Sequence, residues 1–212
     1  MSRGVLGGTF NPIHLAHLRL GEVARESLGV ERILFVPAGA PPLKPEAIAP
    51  AIDRLEMTRR ATASNPHFEV ADLEVRREGP SYTVDTLRAL SESSPSEALW
   101  FILGSDALAE IDRWAEPAAL FQLANFAVVE RAGWSYSLRA LLPSTLATPF
   151  REGPHGLIHE SGNELRRLEF DPLAISASDI RRRVAHNESI RYLVPDEVID
   201  YIAKRQLYRE SV

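Results

Sequence analysis

The sequence contains no cysteine, which excludes disulfides and thiol chemistry. No apolar run approaches the roughly 20 residues that a membrane-spanning helix needs. The first residues lead directly into an apolar strand and do not have the layout of a signal peptide. The formal net charge of -5 argues against a general nucleic-acid binder. We therefore expect a cytoplasmic enzyme that binds neither nucleic acid nor a membrane.

Lysine is also scarce, since Lys44 and Lys204 are the only two and arginine supplies nearly all the positive charge. The 212 residues, 45% of them hydrophobic, are enough for one α/β domain with its own core. The sequence shows no internal repeat, low-complexity tract or linker. We predict a single domain, 1–212, with a sheet core in 1–171 and a helical part in 172–212. No helix stands out as a dimer face, so a homo-oligomer is left open.

Apolar segments alternate between strand and helix patterns along the chain. The predicted strands are 4–6, 32–37, 68–75, 99–103 and 126–129. The predicted helices are 12–28, 52–64, 84–90, a segment that opens in 175–181, and 196–204. This alternation predicts an α/β fold, a doubly wound, Rossmann-like parallel sheet with helices on both faces and a C-terminal helical segment. Segment 133–170, with a weak helical patch at 137–142, is interpreted as a variable excursion.

The most informative stretch is VLGGTFNPIHLAH, which begins at residue 5. An apolar strand meets a glycine turn at 7–8, where the missing Cβ atoms allow a sharp bend and a close approach to a ligand. Asn11 is predicted to cap a helix whose first residue is Pro12. His14 and His17 would then share one face of that helix. A helix N-terminus beside two imidazoles favours an anion, phosphate above all.

Other polar positions also follow predicted strands or precede helices. They are 37–44 after the second strand, 81–83 before a helix that Thr83 would cap, and 104–106 after a third strand. Ligands of open parallel sheets bind at the carboxyl ends of strands, near the switch in strand order. We therefore expect these positions to meet at one site.

Several of these motifs resemble one family. The opening stretch is similar to the nucleotidyltransferase signature and, more closely, to the start of bacterial nicotinate-nucleotide adenylyltransferases. Asn11 stands where that family usually has Asp, and Ala16 where it has Gly. PPLKP is similar to the family's PPHK, with Leu43 in place of His. GSD at 104–106 resembles G-x-D, EGPSYTVDTL at 78–87 is nearly the family's own segment, and ISASDIR at 175–181 resembles ISAT-x-IR.

The resemblance implies a role for each matching position. The implied catalytic residues are His14, His17 and Arg181. The implied ATP-binding residues are Gly7, Gly8, Thr9, Phe10, Lys44, Gly104, Ile175, Ser176 and Ser178. The implied substrate-binding residues are Thr83, Asp106, Trp114 and Ala115. No protein metal ligand is implied, because Mg²⁺ would arrive with ATP, and part 172–212 would complete the ATP site.

The residues alone leave some of these roles open. Arg181, three residues after a predicted Ser178 cap, is either a solvated arginine beside Asp179 or a phosphate ligand. Trp114 is either a packing residue or a ring that stacks on substrate, and Lys44 is either an ordinary loop lysine or a charge beside the triphosphate.

The resemblance implies transfer of AMP from ATP to nicotinate mononucleotide, giving nicotinate adenine dinucleotide and pyrophosphate in NAD biosynthesis. ATP and nicotinate mononucleotide are then the expected partners. Two alternatives remain. One is another adenylyltransferase of the superfamily, for example a phosphopantetheine adenylyltransferase. The other is a nucleotide-binding regulatory module without catalysis.

Overall fold

The structure, a computed structural model, describes residues 2–41, 49–130, 137–171 and 173–209. In chain order the strands are β1 Ser2–Gly8, β2 Arg32–Pro37, β3 Phe68–Val70, β4 Ala98–Gly104, β5 Asn125–Glu130, β6 Phe150–Gly153, β7 Gly156–His159 and β8 Glu164–Glu169. They form one sheet in the order β3-β2-β1-β4-β5-β8-β7-β6. Pairing is parallel from β3 through β8, whereas β7 runs antiparallel to both of its neighbours.

Helices connect these strands and close the chain. They are α1 Leu15–Leu28, α2 Ala51–Thr62, α3 Leu73–Arg76, α4 Thr83–Ser93, α5 Ser105–Ala109, α6 Pro117–Leu123, α7 Leu138–Leu141, α8 Ser144–Ala147, α9 Ala177–Ala185 and α10 Asp196–Arg205. A 3₁₀ turn, Ile111–Arg113, lies between α5 and α6. None of these helices, within the described part of the chain, is both long and apolar enough to cross a membrane.

The sheet buries both of its faces, because successive side chains of a strand point to opposite sides. Val5 and Phe101 pack in one apolar cluster with α4 and α6. Their neighbours Leu6 and Ile102 pack in a second cluster with α1, α2, α9 and α10. The predicted doubly wound sheet with helices on both faces is confirmed.

The strand order reverses beside β1. The chain moves outward from β1 through β2 to β3, and then returns to place β4 on the other side of β1. The carboxyl ends of β1 and β4 therefore diverge into a crevice, where ligands of open α/β sheets bind.

The start of α1 differs from the prediction. The helix begins after His14, which is its N-cap, and not at Asn11 and Pro12. The Asn11–Pro12 peptide bond is cis. The side-chain oxygen of Asn11 cannot serve as a cap because it accepts hydrogen bonds from the Ala49 N–H (3.1 Å) and the Tyr208 hydroxyl (2.8 Å).

Two other predicted caps are wrong by one or two residues. Thr83 is the first residue of α4, and Tyr82 precedes it as the N-cap. Ser178 lies inside α9, whose N-cap is Ser176. The Ser176 hydroxyl accepts the Asp179 N–H at 3.2 Å, which is the bond that a serine cap makes to the third helical residue.

The predicted strand 68–75 is correct only in its first part. β3 ends at Val70, and the chain then turns into α3, where the Arg76 N–H donates to the Asp72 carbonyl at 2.9 Å. Glu74 points inward and accepts the Thr86 hydroxyl at 2.6 Å. The part of the predicted strand that follows Val70 is therefore a helical turn with one buried carboxylate.

Segment 133–170, interpreted above as an excursion, extends the sheet. Residues 133–136 lie outside the described part, and the rest forms α7, α8, β6, β7 and β8. β8 was not recognised because its sequence ELRRLE is mostly charged, and its two buried residues, Leu165 and Leu168, belong to opposite clusters.

Candidate active site

A cavity of about 800 Å³ opens at the carboxyl ends of β1, β4 and β5. Five predicted site residues line it: Gly7, His17, Gly104, Asp106 and Trp114. Of the positions expected to meet at one site, Gly7 and residues 104–106 line this cavity, whereas none of the described residues of 37–44 and 81–83 does. A volume of this size accommodates a ligand of nucleotide dimensions.

Two glycines shape the backbone at this edge. A Cβ on Gly8 would lie 2.9 Å from the ring of Phe10, which is itself buried in the core with a φ of 46°. A Cβ on Gly104 would collide with the carboxylate of Asp106. A side chain at either position would have to displace one of these neighbours, and Phe10 contributes backbone rather than an exposed ring.

His14 and His17 form a stacked pair, with ring centroids 3.7 Å apart. His14 is buried, its Nδ1 has no hydrogen-bond partner among the described residues, and burial lowers its pKa to about 4. His14 is therefore neutral at physiological pH and places no like charge beside His17.

The orientation of His17 follows from one hydrogen bond. Its Nδ1 accepts the backbone N–H of His14 at 3.3 Å, so Nε2 carries the proton when the ring is neutral. The ring also meets the edge of Phe10 at a centroid distance of 5.1 Å. Of the two histidines, His17 lines the cavity and presents a defined donor to it.

The start of α1 is less free to bind an anion through its backbone than expected. The Leu15 N–H donates to the carbonyl of Leu193 at 3.0 Å, and the His17 N–H donates to the carbonyl of His14 at 2.9 Å. The positive end of the helix dipole remains, but two of its donors are used within the protein.

Arg181 reaches the loop after β1. It is the fifth residue of α9 and not the third, and its Nη1 donates to the carbonyl of Asn11 at 2.9 Å. Asp179 instead pairs with Arg182 (2.8 Å) and Arg183 (2.7 Å). Within the described residues Arg181 has no carboxylate partner, which removes the interpretation of a solvated arginine beside Asp179.

The predicted substrate-binding residues lie on adjacent elements. Trp114 lines the cavity and meets Phe101 edge to face, with centroids 6.2 Å apart. Thr83 begins α4, and Arg88 of the same helix makes two hydrogen bonds to Glu116, which follows Ala115. The start of α4 and the segment after Trp114 are thus held together.

The remaining predicted residues do not line this cavity, as far as the described chain extends. Thr9 and Phe10 follow β1, and Ile175 packs against the second core cluster beside the cap of α9. Ser176 and Ser178 stand 3.2 Å apart through their hydroxyl oxygens. Lys44 lies outside the described residues.

One charged residue of the cavity had not been predicted. Glu130 ends β5, is 4% exposed and lies 2.6 Å from the Nε of Arg167 through its Oε2. The sequence does indicate this residue, because its carboxylate directly follows the apolar run FAVV at the carboxyl end of a predicted strand.

The chain matches one family model and is similar to several proteins that share one name. A family model described as cytidylyltransferase-like matches residues 5–183. A probable nicotinate-nucleotide adenylyltransferase of Geobacter metallireducens is 44% identical, with 98% of each chain covered. One of Herpetosiphon aurantiacus, with the same name, is 41% identical over 97% of each chain.

Solved structures show the same fold at low sequence identity. The nicotinic acid mononucleotide adenylyltransferase of Plasmodium falciparum complexed with NaAD has a TM-score of 0.73 and 20% identity. The comparison covers 98% of this chain and 97% of that one. The complex of the same enzyme with APC has a TM-score of 0.71.

Proposed function

Because the chain belongs to the cytidylyltransferase-like family and, within it, to the nicotinate-nucleotide adenylyltransferases, it transfers the adenylyl group of ATP to nicotinate mononucleotide, and we propose that the transfer takes place in the cavity between β1 and β4. The products are nicotinate adenine dinucleotide and pyrophosphate. The observation that carries this assignment is the fixed His17 ring on the cavity wall, at the switch in strand order.

The reaction needs no covalent intermediate on the protein. An oxygen of the substrate's 5′-phosphate attacks the α-phosphorus of ATP, and the bond from that phosphorus to the bridging β-phosphate oxygen breaks. Pyrophosphate leaves with the electron pair. The protein therefore contributes positioning and charge stabilisation, as in other phosphoryl-type transfers.

We assign the histidines different contributions. His17 donates from Nε2 to a phosphate oxygen, because its Nδ1 is already an acceptor. His14 stays neutral behind it and holds the ring in place by stacking. Arg181 supplies its remaining guanidinium donors to the β- and γ-phosphates, since one nitrogen is held by Asn11. Lys44 is proposed as a further cation for the leaving pyrophosphate.

The mononucleotide is proposed to lie on the other side of the cavity. Trp114 stacks on the pyridine ring, and Asp106 accepts hydrogen bonds from ribose hydroxyls. Backbone N–H groups at Thr83 and Ala115 receive the pyridine carboxylate. A carboxamide would bring its own N–H₂ toward these donors, and such a mismatch discriminates strongly.

Two further proposals concern the rest of the assembly. Part 172–212 completes the ATP site, which is supported by the contacts of Arg181 and Tyr208 with Asn11 and of Leu193 with Leu15. Mg²⁺ is treated as part of the ATP substrate and takes its oxygen ligands from the triphosphate.

The test is pyrophosphate release from ATP and Mg²⁺ with three acceptors in parallel. We expect release with nicotinate mononucleotide, and little with nicotinamide mononucleotide or phosphopantetheine. Equal rates with both pyridine nucleotides would contradict the backbone-carboxylate assignment. Release with phosphopantetheine alone would assign the chain to another branch of the superfamily, and ATP binding without any release would indicate a regulatory module.

A further inference from the structure

Arg54 of α2 is a charged residue that the proposed reaction does not use. It is 1% exposed, and burial lowers the pKa of its guanidinium. Arginine nevertheless stays protonated in proteins. No carboxylate among the described residues lies within ion-pair distance of it. Within the described part of the chain Glu74 acts on this charge only at longer range, so its direct partners are not carboxylates.

Three backbone carbonyls receive the Arg54 donors. Nε donates to Ala49 at 3.0 Å, Nη1 to Thr9 at 2.7 Å and Nη2 to Gly39 at 2.8 Å. Each bond comes from a different nitrogen, so every nitrogen of the guanidinium makes one hydrogen bond. Buried charges are costly unless their hydrogen bonds are satisfied, and here three carbonyl dipoles satisfy them.

The three acceptors belong to separate parts of the chain that meet at the Arg54 guanidinium. Thr9 follows β1, Gly39 follows β2, and Ala49 precedes α2. Arg54 therefore joins the turn after β1 to the end of β2. β1 is one of the two strands between which the proposed reaction cavity lies, and β2 is its neighbour on the other side.

Two of the acceptor residues are held a second time. The N–H of Gly39 donates to the hydroxyl of Ser81 at 2.9 Å, and the N–H of Ala49 donates to Asn11 at 3.1 Å. A Cβ on Gly39 would collide with the Glu74 carbonyl, so this backbone packs directly against that of Glu74. Thr9 is thus tied to backbone that is itself fixed.

We propose that Arg54 is a positioning residue, which holds the backbone at Thr9 and Gly39 in the geometry that ATP requires without touching either substrate. The proposal rests on the proposed function, together with the ATP-binding role that the family resemblance implies for Thr9 in the turn after β1. An altered Arg54 should affect ATP more than the mononucleotide, because Thr9 directly follows β1, whereas Gly39 reaches the mononucleotide side only through Ser81, two residues before Thr83.

The test compares R54K with D53N, a matched change at the preceding residue. Asp53 is 2% exposed and accepts from Tyr201 (2.8 Å) and Arg205 (3.0 Å), so it ties α2 to α10 and contacts no carbonyl of these loops. Both variants should lower Tm. A lysine ammonium cannot reach three carbonyls in the plane of a guanidinium.

We expect R54K to raise the KM for ATP about tenfold, with the KM for nicotinate mononucleotide within about twofold of wild type. D53N should also lower Tm but should change the KM for ATP much less than R54K does, because its contacts reach α10 and none of the three loop carbonyls. If R54K does not fold, R54Q replaces it, because a neutral amide buries no charge. A variant at Arg54 that loses Tm but keeps the wild-type KM for ATP and kcat would overturn the proposal.

ATP affinity is measured directly as well, by equilibrium dialysis of labelled ATP against wild type, R54K and D53N. If wild type released no pyrophosphate with nicotinate mononucleotide, the proposed function would fail, whereas the dialysis would still test Arg54. Unchanged ATP affinity in R54K would refute the positioning role even in a fully active enzyme.

Discussion

The buried His14 should make the stability of this protein depend on pH between about 6.5 and 4. In the unfolded chain the imidazole takes up a proton near the reference pKa of about 6.5. In the folded chain burial lowers its pKa to about 4. The unfolded state therefore binds more protons than the folded state in this interval. The free energy of unfolding is unaffected by His14 above pH 6.5 and falls as the pH drops toward 4.

The size of the effect follows from that difference. Each pKa unit is worth about 1.4 kcal/mol, so His14 should account for a loss of about 2 kcal/mol between pH 7 and pH 5. Such a loss is a large part of the 5–15 kcal/mol that holds a typical domain together, so it is measurable.

The assay is equilibrium unfolding in urea at pH 7, 6 and 5, for wild type and H14Q. Glutamine does not titrate, so the wild-type curve should fall more steeply by about 2 kcal/mol over this range, while other groups cancel in the difference. H67Q is the control, because it removes an exposed imidazole. Parallel pH dependences for wild type and H14Q would refute the argument that His14 is buried in its neutral form.

Three predictions concern the residues that are proposed to bind the two substrates. H17Q should lower kcat by about 10²- to 10³-fold with a smaller effect on ATP affinity, since it removes a donor aimed at developing charge; unchanged turnover in a steady-state assay would exclude His17 from the reaction. W114A should raise the KM for nicotinate mononucleotide about tenfold through lost stacking, and an effect confined to ATP would contradict this. R181K should weaken ATP binding about tenfold, measured by dialysis, because lysine cannot form the paired contacts of a guanidinium; equal affinity would remove Arg181 from the site.

Much of the architecture could be predicted from local patterns. The β2 strand at 32–37 is an unbroken apolar run between turn residues, and the structure gives the same bounds. α1 was predicted to end at residue 28, and Gly29 caps that end in the left-handed conformation with φ 64°. These features depend on neighbours in sequence, so a pattern of a few residues is enough to specify them.

Helix starts and sheet edges were less predictable. Asn11 is a good capping residue by type, but Ala49 and Tyr208 occupy its side-chain oxygen from far along the chain. β8 is mostly charged, and it is a strand because it pairs with β5 and places Leu165 and Leu168 on opposite faces of the sheet. At Asn11, long-range hydrogen bonds override the local preference for a helix cap. In β8, a weak local preference for a strand is sufficient because the strand pairs with β5.

Some features of the candidate site could likewise be predicted from the sequence, and others could not. The sequence by itself determined which residue types are present, and their order was enough to indicate a nucleotide site with His14 and His17 one helical turn apart. Only the tertiary structure decided that His17 faces the cavity while His14 is buried and neutral, and that Arg54 joins three loops. Burial, tautomer and long-range hydrogen bonds depend on atoms brought together by the whole fold, and no short stretch of sequence contains that information.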